Sequence, residues 1–282
     1  MDNSVSFSLI LDAIRALDLR DSVVCLHSSL KSFGHLEGGA DTVIRAFRQS
    51  GCTLLVPTFS YDCETAPPPG WDLPQNGMDS HPDWGVPQAY DKPGRMISRE
   101  MGAIPARLLA DADVVRSDHP LNSFAALGPL AQEIIAAQDF LNVYGPYKAI
   151  YAATPAFVVL AGVDLTSATP IHFAEEKAGR RMFRRWALDG NGLPREVEVG
   201  SCSDGFNRLQ PHLAGIEKNV IVGASRWRVF PFRLFIDQLA RTIARDPALT
   251  HCPDPDCPRC RDMLKGGPIL ASKGGADVQG TA

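Results

Sequence analysis

Residues 23–59 read VVCLHSSLKSFGHLEGGADTVIRAFRQSGCTLLVPTF. The apolar run Val23–Leu26 predicts a short buried strand, and Gly38 and Gly39 precede a segment with apolar residues at helical spacing. Thr53–Phe59 predicts a second strand. A strand–loop–helix–strand order is a βαβ unit. We therefore expect an α/β protein with a central mostly parallel or mixed sheet flanked by helices.

Comparable patterns continue on both sides of this unit. Helices are predicted over residues 7–17 and 231–245, and buried strands over Phe157–Val163 and 218–224. Residues 61–98 are rich in proline and glycine and lack clear periodicity. Because a loop of this length is unusual in a compact domain and is often functional, we interpret it as a lid or part of a substrate wall.

The predicted elements follow one another without a linker. One domain is therefore expected over residues 1–263, including a cysteine-rich segment at 251–260. Residues 264–282 are rich in Gly, Ala and Ser, a composition that predicts a disordered tail.

Composition narrows the class of function. The 282 residues carry a net charge of −4, whereas nucleic-acid binding needs a basic face. Apolar runs fall short of the roughly 20 residues that a membrane span requires. The N-terminal Met-Asp-Asn-Ser lacks the basic region of a secretory signal. We expect a cytoplasmic protein with no nucleic-acid or membrane partner.

The run Thr169-Pro-Ile-His-Phe-Ala-Glu175 contains the strongest candidate for catalysis. His172 and Glu175 stand three residues apart, on one face of a predicted helix. A carboxylate beside an imidazole fixes its tautomer and stabilises its protonated form, which suits a general base. The alternative is a salt-bridged histidine on a surface helix. Four arginines follow between residues 180 and 185, either attracting an anionic ligand or forming a solvated face.

Two further polar segments adjoin predicted strands. The loop His27–Gly34 carries hydroxyls, a lysine and backbone N–H groups that could hold a pyrophosphate, although it has neither the Walker order nor a dinucleotide fingerprint. The segment Arg116–Phe124 offers hydrogen-bond donors for a cofactor or an oxyanion. Each is alternatively an ordinary polar turn.

The seven cysteines predict reduced thiols or metal ligands rather than a disulfide framework. Cys252, Cys257 and Cys260 fall within ten positions, and the Cys257-x-x-Cys260 spacing suits a structural zinc with a fourth ligand from His251 or elsewhere. The alternative is a proline-rich turn with free thiols. Cys25, within an apolar run, is expected to be buried and inert.

The order of these motifs resembles the aminoglycoside 3-N-acetyltransferase family, whose members use acetyl-CoA. The matching stretches are His27-Ser-Ser-Leu30 with Gly34, Gly38 and Gly39; Leu55-Val-Pro-Thr-Phe-Ser60; Arg116-Ser-Asp-His-Pro-Leu-Asn-Ser-Phe-Ala-Ala-Leu-Gly128; Thr169–Glu175; and Val222-Gly-Ala224. They follow the family's order over roughly residues 5–245.

The resemblance implies roles for individual residues. His172 and Glu175 would form the catalytic pair, with His27 lining the same site. The implied acetyl-CoA contacts are Ser28, Ser29, Leu30, Ser32, Gly34, Thr58, Ser117 and Ser123. The long loop and the arginine run depart from the aminoglycoside enzymes, so the resemblance supports an acyl-CoA N-acyltransferase more strongly than it supports an aminoglycoside acceptor.

The expected reaction is direct acetyl transfer from acetyl-CoA to an amine of a small molecule, with His172 as the base. One alternative is a ping-pong acyltransferase with Cys25 or Cys63 as the nucleophile. Another is a non-catalytic CoA-binding or zinc-stabilised module. The oligomeric state stays open, with a homodimer as the candidate.

Overall fold

The computed structural model describes residues 4–78, 84–152 and 155–270. The strands are β1 (Val23–Ser28), β2 (Thr53–Pro57), β3 (Glu64–Thr65), β4 (Val115–Arg116), β5 (Phe124–Leu127), β6 (Ala156–Ala161), β7 (Phe183–Leu188), β8 (Pro194–Val199), β9 (Lys218–Val222) and β10 (Ser225–Pro231). The α-helices are α1 (Phe7–Ala16), α2 (Gly39–Gln49), α3 (Ala103–Leu108), α4 (Ala131–Ala136), α5 (Gly145–Ala152), α6 (Pro170–Lys177), α7 (Phe232–Arg245) and α8 (Pro258–Leu264). Short 3₁₀ helices cover Leu30–Phe33, Tyr61–Cys63, Arg99–Met101, Leu165–Ser167, Phe206–Leu213 and Pro247–Thr250.

In the described part of the chain, seven strands form the main sheet, in the order β4-β5-β2-β1-β6-β10-β9. The central strand β1 is parallel to β2 and to β6. All other pairings in this sheet are antiparallel. The predicted α/β class with a mixed sheet is therefore confirmed, and the parallel part is its centre.

The side chains of β1 alternate between two cores. Val23 and Cys25 face one apolar cluster, and Val24 and Leu26 face the other. Helices α1, α2 and α3 cover the second cluster, while α4, α5, α6 and α7 cover the first. Because β1 is buried on both faces, its sequence is a continuous apolar run rather than an alternating one. Trp227 of β10 stacks on Phe47 of α2 at 5.8 Å and anchors the second core.

A second, three-stranded sheet has the order β3-β7-β8. The hairpin of β7 and β8 turns at Asp189–Gly192. The segment 61–98 contributes only the two-residue strand β3 to this sheet in its described part, and it otherwise runs as loop.

The C-terminal half departs from the sequence predictions at the strand pair β9 and β10. Residues 218–224 were expected to form a buried strand, but β9 is the edge of the sheet and Lys218, Asn219 and Ile221 are exposed. Its partner β10 was not predicted, because Arg226 and Arg228 interrupt its apolar residues.

The first residues of the predicted disordered tail, 264–270, lie within the described part of the structure. Gly266 O accepts a hydrogen bond from Arg181 N, and Ile269 N donates to Pro74 O. Ordered chain thus extends to residue 270, and residues 271–282 lie outside the described part. Within the described ranges, none of the helices combines the length and apolar character needed to cross a bilayer.

Candidate active site

A cavity of about 990 Å³ lies at the carboxyl ends of the three parallel strands. His27 and Ser28 at the end of β1, Phe59 beyond β2 and Val163 beyond β6 all line it. Parallel strands end at the same edge of a sheet, so their following loops converge there, as at ligand sites of α/β proteins in general. His172, near the start of α6, also lines this cavity.

The His172 side chain is held by Glu175. Its Nδ1 donates to Glu175 Oε2 at 2.8 Å, and the side chain is only 10% exposed. The hydrogen bond fixes the tautomer, so Nε2 is the nitrogen left to accept a proton from a bound molecule. The structure thus confirms the close pairing of the two residues.

Glu175 is fully buried but is surrounded by donors. Besides His172, Ser201 Oγ donates to Oε2 at 2.6 Å, and Arg180 donates to Oε1 at 2.5 Å. Burial raises the pKa of Glu175, but the hydrogen bond from His172 and the charges of His172 and Arg180 outweigh it, so the pKa lies below its ordinary value. Glu175 therefore stays ionised at neutral pH and stabilises positive charge on the imidazole.

Arg180 connects this pair to the C-terminal part of the chain. Its guanidinium donates to Thr250 Oγ1 at 2.7 Å and to Pro247 O at 2.9 Å, in addition to Glu175. Only 6% of the side chain is exposed. This arginine is therefore neither part of a solvated face nor a ligand-attracting charge, which are the two interpretations suggested by the sequence.

Aromatic rings and one glycine enclose the imidazole. Tyr144 stacks on His172 with ring centroids 6.0 Å apart, and Phe206 lies at 4.9 Å. At Gly200, an added Cβ would lie 2.4 Å from the Tyr144 hydroxyl and 2.8 Å from His172 Cδ2. A side chain at position 200 would therefore displace the ring that the Glu175 contact holds.

His27 lines the same cavity but is chemically different. It is 4% exposed, and its Nε2 lies 3.7 Å from Cys25 Sγ. Burial lowers the pKa of His27 to about 3. His27 is therefore neutral near pH 7, and it can donate or accept a hydrogen bond without contributing charge.

We expect His27 to make the free energy of unfolding depend on pH. Its pKa is about 3 in the folded chain and about 6.5 in an unfolded one, so between these values the unfolded state binds more protons. Its stabilising contribution is complete above pH 6.5 and is lost as the pH falls towards 3, by at most about 1.4 kcal/mol per pH unit. Denaturant unfolding at pH 7 and pH 5 should show a smaller loss for His27→Gln than for the wild type. Equal losses would contradict this prediction.

The loop after β1 divides into two parts. Ser28, Ser29 and Leu30 line the cavity, and their contact with a cofactor stays a prediction. Ser32 turns instead towards β10, where its Oγ donates to Ser29 O at 2.7 Å and lies 2.8 Å from Ser225 Oγ. Gly34 ends the 3₁₀ turn with a φ of +76°, a conformation that favours glycine. Ser32 and Gly34 thus shape the loop from behind the cavity wall.

The three remaining predicted cofactor residues are buried beneath the wall. Ser123 Oγ donates to Thr58 O at 2.6 Å, and Arg116 donates to the same carbonyl at 2.7 Å. Ser117 Oγ accepts from Phe124 N at 2.9 Å. Thr58 and Ser123 are fully buried and Ser117 is 5% exposed, so these side chains join β2, β4 and β5 rather than face the cavity.

Comparison with known proteins identifies the family. The model of the family described as aminoglycoside 3-N-acetyltransferase matches residues 25–244, which is most of the chain and includes the His172–Glu175 pair. The chain belongs to the aminoglycoside 3-N-acetyltransferase family. The resemblance noted in the sequence is therefore confirmed, and the chain is a member of a family of acyltransferases.

Individual members of the family are moderately similar. The aminoglycoside N(3)-acetyltransferase IX of Micromonospora chalcea is 32% identical over 191 residues, which cover 64% of this chain and 65% of that protein, just under two thirds of its length. The aminoglycoside N(3)-acetyltransferase VII of Streptomyces paromomycinus is 29% identical over 269 residues, covering 84% and 90%.

Solved structures of the family share the fold. The apoenzyme of aminoglycoside acetyltransferase AAC(3)-IVa superposes with a TM-score of 0.75 at 22% identity, covering 93% of this chain and 98% of its own. The YokD protein of Bacillus subtilis superposes with a TM-score of 0.69 at 26% identity, covering 85% and 99%.

Cys25 and Cys63, the two candidate nucleophiles of the ping-pong alternative, lie in apolar surroundings. Burial raises the pKa of the Cys25 thiol to about 12 and that of Cys63 to about 11. Both side chains are fully buried, and Cys63 Sγ contacts Met96 Sδ at 3.4 Å. A thiolate is the nucleophilic form, so these environments disfavour an acylated cysteine.

Several residues that support the pair were not identified from the sequence. Arg180 follows α6 directly, but Ser201, Gly200, Phe206 and Tyr144 reach His172 or Glu175 from distant segments. No local pattern marks them. Cys202, next to Ser201, was not identified either. Its Sγ and those of the three predicted zinc ligands all lie within 4.8 Å of one another.

Proposed function

We propose that this protein is an acetyl-CoA-dependent N-acetyltransferase that transfers an acetyl group directly to an amine of a small molecule, with an aminoglycoside as the first candidate acceptor. The observation that carries the proposal is the His172–Glu175 pair, buried at the wall of a large cavity at the carboxyl ends of the parallel strands. Membership of the family supplies the reaction class.

His172 is proposed as the general base. Alkyl amines are mostly protonated at neutral pH, so a group must accept a proton as the amine attacks the thioester carbonyl. Nε2 of His172 takes that proton, directly or through a water molecule, and the imidazolium is stabilised by ionised Glu175. Collapse of the tetrahedral intermediate then releases CoA as its thiolate.

The donor is proposed to lie along the loop after β1. Ser28, Ser29 and Leu30 line the cavity there, and Lys31 and Arg99 add two cations suited to the phosphates of CoA. The oxyanion contact is assigned to this loop and not to Ser123, whose hydroxyl is buried and bonded to Thr58 O. A cavity near the upper end of the usual range for small-molecule sites is compatible with two substrates.

The acceptor region is mixed in charge. Glu64, Glu100 and Asp204 line the cavity and favour a polycationic acceptor. Arg185 and Arg259 line it as well, and Arg185 Nε lies 3.5 Å from Glu64 Oε1. This balance supports an amine with limited positive charge as well as an aminoglycoside, and a panel of acceptors is needed to separate them. The homodimer stays a prediction.

The experiment is a thiol-release assay with acetyl-CoA and a panel that includes aminoglycosides and simpler amines. Mass spectrometry of the products should show acceptors heavier by one acetyl group, with release of CoA only when an acceptor is present. A chain that releases no CoA with any amine would overturn the proposal. Incubation with acetyl-CoA alone should leave the protein mass unchanged, because an acetyl adduct would instead support a covalent intermediate.

A further inference from the structure

Four cysteines from two separate segments meet beside the active site. The Sγ atoms of Cys202, Cys252, Cys257 and Cys260 all lie within 4.8 Å of one another, and all four are free thiols. Tetrahedral zinc with Zn–S distances of about 2.3 Å places its sulfur ligands about 3.8 Å apart. Small side-chain adjustments therefore bring the cluster to the geometry of a Cys₄ zinc site.

The segment that supplies three of these cysteines buries few apolar side chains besides the cysteines themselves. Residues 251–260 read HCPDPDCPRC, in which cysteine and proline are the only apolar residues. The buried cluster there consists of cysteines alone. A segment that cannot bury a hydrophobic surface is commonly fixed by metal binding, in which the binding free energy stabilises the fold. The cysteine cluster therefore has the composition of a metal site rather than of an apolar core.

We propose that Cys202, Cys252, Cys257 and Cys260 bind one Zn²⁺, and that this ion fastens the wall segment 200–206 of the active site to the C-terminal segment 247–264. Binding displaces the thiol protons to solvent, including the proton that Cys202 Sγ shares with Asp204 Oδ2 at 3.6 Å. Four thiolates complete the tetrahedron, so the ion is structural and has no position open to a substrate.

The two fastened segments both support the catalytic pair. Ser201, which donates to Glu175, directly precedes Cys202. Arg180, the other partner of Glu175, bonds to Pro247 and Thr250, just before Cys252. Arg259, between Cys257 and Cys260, lines the cavity. The ion would therefore position the donors around Glu175 without contacting a substrate.

The first test is metal content. Wild-type protein purified without added metal should contain one zinc ion per molecule, as measured by inductively coupled plasma mass spectrometry. The double variant Cys257→Ser/Cys260→Ser should contain none. Cys52→Ser is the matched control, because Cys52 is a buried thiol outside the cluster, and its zinc content should match the wild type. Because the double variant can fail to fold, the wild-type chain is also exchanged into Co²⁺. Absorption bands of tetrahedral cobalt–thiolate coordination support the site; zinc-free protein, or cobalt without those bands, overturns it.

The second test asks whether the bound zinc ion holds the segments 200–206 and 247–264 in place. Zinc removal by a chelator should speed hydrogen exchange of the amides in 200–206 and 247–264, and should lower kcat about 10-fold or more with a changed pH profile. Unchanged exchange in both segments would overturn the fastening role. Exchange and metal content do not depend on acetyl transfer, so they test the zinc proposal even where no acceptor is found.

Discussion

Replacing His172 by alanine is expected to lower kcat/KM for acetyl transfer by about 100-fold or more, the usual size of a general-base contribution. The side chain lines the cavity wall, and its Nδ1 is held by the buried carboxylate of Glu175 at 2.8 Å. Without it, the amine must lose its proton to water. The measurement is initial-rate kinetics of CoA release with the best acceptor from the panel.

The control for this substitution is His35→Ala, which removes an exposed imidazole from the segment after the β1 loop and should leave kcat/KM unchanged. Circular dichroism and thermal unfolding of both variants separate a lost base from a lost fold. Wild-type turnover in a folded His172→Ala protein would exclude His172 as the base, although transfer by a different mechanism would still be open to measurement.

Replacing Arg180 by methionine should have the largest effect on stability, a loss of about 3–5 kcal/mol in the free energy of unfolding. The guanidinium is 6% exposed and is one of two positively charged partners that Glu175 can have, so its removal leaves a fully buried carboxylate poorly compensated. Thr250 Oγ1 and Pro247 O also lose their shared donor. Denaturant unfolding monitored by tryptophan fluorescence provides the measurement.

A double-mutant cycle tests whether this loss comes from the ion pair. Adding Glu175→Gln to Arg180→Met removes the isolated charge, so the double variant should be less destabilised than the sum of the single variants. Arg233→Met is the control: that arginine is 63% exposed and its nearest contact with Asp237 is 4.0 Å, so a change of about 1 kcal/mol or less is expected. Additive losses in the cycle would show that Arg180 acts through packing or its other hydrogen bonds.

The centre of the fold could be predicted from the sequence because its signals are local. Val23–Leu26 is apolar at every position, since β1 is covered on both faces, and this short continuous run differs from the spaced apolar residues of the helices beside it. The sheet edge was harder to predict. Lys218 of the edge strand β9 is exposed to solvent, and Arg228 of β10 is buried and paired with Glu217, so polar residues stand where strand patterns lead one to expect apolar ones. A pattern of hydrophobicity therefore does not fix how far a sheet extends.

The site residues also fall into two groups: those that a local sequence pattern identifies, and those whose partners only the fold reveals. His172 and Glu175 could be paired from sequence because three residues along a helix place them on one face. Thr58 and Ser123 illustrate the opposite case: their hydroxyls suggest a ligand site, but they are bonded to each other, and Arg116 donates to the Ser123 hydroxyl. Polarity in a sequence does not reveal whether its partner is a ligand or a buried side chain. Cys202 could not be joined to the other cysteines, because only the tertiary fold brings it to them.

The position of β1 has a consequence for synthesis of the chain. Its two neighbours are residues 53–55 and residues 156–161, so the sheet centre closes only after more than a hundred further residues have been added. Parallel pairing between such distant segments forms slowly. During synthesis, the apolar strand β1 therefore remains unpaired with β6 while the chain is still on the ribosome. Because apolar association weakens on cooling, a lower growth temperature should favour correctly folded product over aggregates.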